Sequence, residues 1–94
     1  MTDSNYFKPL SILTFATVAA DRVRLIELLK ESPSKAIHCD LSAVQTCDSA
    51  GLALLIDMRR LCRQYSTTLK IDHIPDDVRA LATLYGVELI LYES

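Results

Sequence analysis

Three features of this 94-residue chain predict an α/β fold: a mixed, largely parallel β-sheet of four to five strands packed with three to four helices. Apolar residues recur with a period of two in residues 35–41 and at helical spacing in the segments on either side. Strand-like and helix-like segments alternate after an N-terminal strand, the order of parallel strands joined by right-handed crossovers. Ser32-Pro33-Ser34, Pro75 and Gly86 punctuate the chain between those segments.

Residues 7–9 are expected to form a short edge segment. Residues 10–15 mix apolar, β-branched and aromatic side chains as a strand does. Thr17 is placed to cap a helix reaching Glu31, because Val18, Arg22, Leu25, Leu28 and Leu29 recur at helical spacing, and Ser32-Pro33-Ser34 ends it. In residues 35–41, Ile37, Cys39 and Leu41 alternate with Ala36, His38 and Asp40, which predicts a strand with two different faces and a structural role for His38. A second helix is expected over residues 50–65, with Gly51, Leu54, Leu55, Met58, Leu61, Cys62 and Tyr65 as its inward stripe. Residues 67–72 read as a strand. Pro75, Asp76 and Asp77 suit the first turn of a third helix, whose stripe is Val78, Leu81, Ala82 and Tyr85. Gly86 is placed to end it in the left-handed conformation, and residues 87–92 are expected as a last apolar strand.

Composition narrows the function classes. Ninety-four residues suffice for one domain with one core, taken here as residues 1–94, and half of them are hydrophobic with only two Gly and three Pro, so a globular fold is expected. A net charge of −2 speaks against a general nucleic-acid binder. No apolar run approaches the roughly 20 residues of a membrane span, and the N-terminus lacks a secretory pattern, so a cytoplasmic chain without direct membrane insertion is expected. Cys39, Cys47 and Cys62 lack C-x-x-C spacing; with His38 and His73 they offer no structural zinc pattern, and neither metal nor cofactor is assigned.

The most informative stretch is Cys47-Asp48-Ser49-Ala50-Gly51-Leu52, where a strand hands over to a helix. Asp48 is the expected N-cap, its carboxylate bonding the amide of Ala50 or Gly51, while Ser49 points outward in the first turn. A phosphate on Ser49 would bring about −1.5 to −2 of charge to the positive end of the helix dipole. Gly51 permits a backbone to approach closely. Leu52, Ala53 and Ile56 are expected opposite the core stripe, followed on the same face by Arg59, Arg60 and Arg63. Apolar anchors beside a charged rim mark a protein interface; a solvated charge run beside an ordinary helix end is the plainer alternative. Asp48, Ser49, Ala50, Leu52, Ala53, Ile56, Arg59, Arg60 and Arg63 thus form the candidate partner surface. Spacing alone leaves open a hydrolase built from Ser49, a histidine and Asp40 or Asp48, but no oxyanion-hole motif supports it and no catalytic residue is assigned.

Asp40-Leu41-Ser42-x-Val44 followed by Asp48-Ser49-Ala50-Gly51-Leu52-Ala53-Leu54-Leu55 resembles the signature of STAS domains, shared by sulfate-transporter tails and anti-sigma-factor antagonists. The resemblance runs from about residue 13 to residue 92. It implies the STAS fold and, for Ser49, the place of the residue that partner-switch kinases phosphorylate. Residues 77–87, Asp-Val-Arg-Ala-Leu-Ala-Thr-Leu-Tyr-Gly-Val, are similar to a segment of the MlaB family, the small STAS subunits of the Mla ABC complex that moves phospholipids to maintain outer-membrane lipid asymmetry. That resemblance implies a non-enzymatic subunit binding the transporter's ATPase, peripheral at the inner membrane through that partner. Ser49-Ala50 also suits sigma-factor antagonists, so the motif alone leaves open a second role: an anti-sigma-factor antagonist regulated by phosphorylation of Ser49, with an anti-sigma kinase as partner.

Overall fold

The computed structural model describes residues 4–9, 12–31 and 36–92. Its strands are β1 (Ser4–Phe7), β2 (Ile12–Leu13), β3 (Ala36–Asp40), β4 (Thr46–Cys47) and β5 (Thr68–Asp72). Its α-helices are α1 (Val18–Glu31), α2 (Ser49–Gln64) and α3 (Asp76–Leu84), followed by a 3-10 helix over Glu88–Leu91. The order follows the alternation expected from the sequence as far as α3, with two differences: the short β4 intervenes before α2, and the edge segment expected over residues 7–9 is β1, which ends at Phe7. Ser32-Pro33-Ser34, and residues 10–11 of the expected first strand, lie outside the described residues.

In place of one sheet there are two: β1-β3-β5, and a ribbon of β2 with β4. All three strand pairings are parallel, so among the described residues the expected mixture of directions does not occur. Successive parallel strands progressing one way across the sheet carry their crossover helices on one face. The period-two pattern matches: Phe7, Ile37, Cys39, Leu69 and Ile71 are buried toward the helices. On the opposite, open face Tyr6 stacks on His38 with ring centroids 5.0 Å apart, and His38 Nδ1 pairs with Asp72 Oδ2 at 3.0 Å. His38 therefore serves the sheet, as expected.

Residues 87–92 are not a strand. Once Gly86 (φ 70°) has ended α3, the chain turns into the 3-10 helix, and among the described residues β5 is paired on one side only. Arg59 makes the connection that a further strand would have made by ladder bonds. Its Nη1 donates to the Leu69 carbonyl of β5 at 2.9 Å, and its Nε donates to the Ile90 carbonyl of the 3-10 helix. Leu91 follows into the core. At two other helix starts the details differ from expectation. The Thr17 hydroxyl turns back to the Thr14 amide and the Ile12 carbonyl instead of the first-turn amides, and Pro75 stands just outside α3 as its cap.

Candidate partner-docking site

The start of α2 is tied down from three directions. Asp48 is the N-cap: its Oδ1 accepts from the Gly51 amide at 3.0 Å, as expected. Its Oδ2 accepts from the Phe15 amide at 3.2 Å, and its own amide donates to the Leu13 carbonyl at 3.3 Å. The hydrogen bond from Gly51, with further ones from Phe15 and Ala50, holds the Asp48 carboxyl below the usual carboxylate range. Gly51 meets the backbone of β2: a Cβ there would stand 2.0 Å from the Leu13 oxygen. The close approach foreseen at Gly51 is therefore internal to the fold.

Ser49 is exposed on the first turn. Among the described residues it makes no hydrogen bond to either histidine. His38 is engaged by Asp72, both oxygens of Asp48 receive backbone amides, and exposed His73 sits in a left-handed turn after β5. The hydrolase arrangement is thus not assembled. Burial pushes the thiols of Cys47 and Cys62 up to about 11 and that of Cys39 further still, which favours the protonated thiol over the thiolate. No cluster of metal-ligating side chains is present among the described residues, and no described helix is long and apolar enough to cross a membrane.

The outer face of α2 is narrower than the helical wheel suggested. Ala53, Ile56, Arg60 and Arg63 are exposed, and Ala50 is half-buried beside α1. Leu52 and Arg59, however, keep only 3% and 9% of their surface, and Tyr65 of the expected inward stripe is exposed. The reason is that α2 rests on the sheet and is also flanked by α1 on one side and by α3 with the 3-10 helix on the other. Leu52 and Arg59, one heptad apart, share the second flank and turn inward. The expectation that they lie on the outer face is corrected.

What remains exposed is an apolar ridge between two depressions. A hollow of about 400 Å³ between α1 and α2 is lined by Val18, Ala19, Ala50, Ala53 and Leu54, with Arg22 and Asp57 at its edge. Across Ala53, a second of about 310 Å³ is lined by Ser49, Leu52, Ile56, Tyr85 and Val87. Phe15, 79% exposed, stands on the loop that Asp48 anchors, and Tyr85 is 56% exposed. Sequence reading missed Phe15, Arg22, Asp57, Tyr85 and Val87 as parts of this surface. Tyr85 continues the α3 stripe by helical spacing, which predicts burial, yet the structure leaves it exposed.

The family model described as Mlab, STAS domain matches residues 11–92, nearly the whole region that carries this geometry. The chain belongs to the Mlab, STAS domain family. A curated relative, the intermembrane phospholipid transport system binding protein MlaB of Haemophilus influenzae, is 35% identical over 51 residues, 54% of this chain and 49% of the relative. The matched stretch thus spans about half the length of that relative. In fold, the chain is similar to the crystal structure of a sulfate transporter family protein from Wolinella succinogenes. The TM-score is 0.75 at 17% identity, over 97% of this chain and 73% of the other. The STAS fold expected from the Asp48-Ser49-Ala50-Gly51 signature is therefore the fold observed.

Proposed function

We propose that this STAS domain is a non-catalytic subunit of an ABC phospholipid transporter, docking on the ATPase through Ser49 and the outer face of α2. The observation that carries the reading is the apolar ridge at Ala53 and Ile56, flanked by two open hollows on a helix whose start is rigidly held. A solvated apolar surface of this form gains free energy when a partner covers it, about 25 cal/mol per Å² removed from water. Membership of the Mlab family and the transport role in the relative's name support the choice of partner. In this reading the chain sits on the cytoplasmic side of the inner membrane, held there by the ATPase.

The test is a pull-down from the native cell with the wild type and with Ala53→Glu and Ser49→Glu variants. Leu52 is not used because it is buried in the fold, where a charge would confuse misfolding with lost binding. An ABC ATPase is expected with the wild type and strongly depleted with both variants, while their circular dichroism matches the wild type. Absence of an ATPase, or equal recovery with both folded variants, overturns the reading. Recovery of a protein kinase that phosphorylates Ser49 would instead favour the sigma-factor role, which the exposure of that hydroxyl permits.

A further inference from the structure

At the foot of the hollow between α1 and α2, Asp57 holds two arginines. Its Oδ2 accepts from Arg22 Nε at 2.6 Å and its Oδ1 from Arg60 Nη2 at 2.5 Å. Burial pushes the Asp57 carboxyl up, but the hydrogen bonds and charges of Arg22 and Arg60 outweigh it and keep the group ionised well below neutral pH. Two guanidiniums thus share one carboxylate, and the cluster is positive in a chain whose net charge is negative. Arg22 is engaged through Nε and Arg60 through one Nη. Further N–H groups on each side chain remain able to receive an acceptor, and both side chains reach solvent.

Resting on the docking face proposed above, we infer that the partner segment seated on α2 is amphipathic and acidic. Its apolar side chains straddle Ala53 into the two hollows, and a carboxylate reaches the Arg22–Arg60 pair. A purely apolar occupant would strip water from two guanidiniums that have one carboxylate between them, which is costly. A carboxylate supplied by the partner completes the pairing in fork geometry. The hollows are concave and accept side chains. A bilayer surface instead favours a helix that projects its apolar side chains outward.

The inference is tested with the ATPase that co-purifies with the wild type, its binding followed by surface plasmon resonance between about 50 and about 500 mM salt. The association rate is expected to fall at least about tenfold over that range, and Arg60→Glu to weaken binding about tenfold or more, with Arg60→Lys, which keeps the charge but not the fork, recovering only part of the loss. The Arg60 side chain is 68% exposed, so these variants are expected to fold, and circular dichroism checks it. If Ala53→Glu abolishes binding while salt and Arg60→Glu leave it unchanged, the docking face stands and the acidic segment is wrong. If Ala53→Glu has no effect, or no ATPase co-purifies, the docking face itself falls and takes this inference with it. Arg60-dependent binding of the isolated chain to vesicles of anionic phospholipid, with none to the ATPase, overturns the inference in favour of a lipid surface.

Discussion

Arg59 and Arg60 are neighbours in α2 yet belong to two regions with opposite purposes. Arg59 lies on the inner flank with Leu52, its guanidinium bonded to carbonyls of β5 and the 3-10 helix. Arg60 lies on the outer face with Ala53 and Ile56, sharing Asp57 with Arg22. One residue along a helix rotates a side chain by about 100°. Here that step separates a side chain that closes the fold from one that is presented to a partner. Residue type does not distinguish the two; what packs against each flank does.

The division can be broken first at its base. Gly51→Ala is expected to be the most damaging change, since its Cβ meets backbone at 2.0 Å and neither α2 nor β2 can yield without loss of the Asp48 cap. A loss above about 3 kcal/mol, read from urea unfolding, is expected from such overpacking. Tolerance of alanine there would mean that the inner flank is looser than described. Next, Arg59→Ala should cost on the order of 2 kcal/mol, because it strands the Leu69 and Ile90 carbonyls. The matching Arg60→Ala should change stability by less than about 0.5 kcal/mol, as expected of an exposed pair. Equal effects from the two arginines would erase the contrast.

An effect between those of the two arginines is expected at Gly86, whose positive φ makes Gly86→Ala cost about 1 kcal/mol by strain alone, with space around it unfilled. The smallest is the pH response. Asp40, Asp48 and Asp57 all have folded-state carboxyls held below their ordinary range: Asp40 and Asp48 chiefly by backbone hydrogen bonds, Asp57 by Arg22 and Arg60 against the opposing effect of burial. A depressed folded value adds stability above the unfolded value of about 3.9, lost as pH falls through the folded one. Thermal midpoints should thus be level from neutral pH down to about 5 and fall below about 4. Asp57→Asn is expected to make that acid fall shallower.

Much of this could be read in the sequence because it depends on near neighbours. The Asp48 cap needs only an acid before a helix start, and the left-handed turn at Gly86 needs only a glycine after one. The alternation in β3 shows which side of the strand is apolar, and the signature around Ser49 pointed to the family that residues 11–92 match. The outer face of α2 was only partly legible. Ala53, Ile56, Arg60 and Arg63 stand where the wheel put them, but Leu52 and Arg59 do not.

Local pattern thus determined the order of elements, the parallel crossovers, the cap and the turn, since each follows from backbone geometry and the spacing of apolar residues. Tertiary structure alone decided that Glu88–Leu91 coil into a 3-10 helix where a strand was expected, that Arg59 secures the sheet edge in its stead, and that Tyr85 and Val87 gather beside Ser49. Those outcomes depend on which surfaces meet across dozens of residues. A helix flanked on two sides buries a wider arc than one stripe of spacing can reveal.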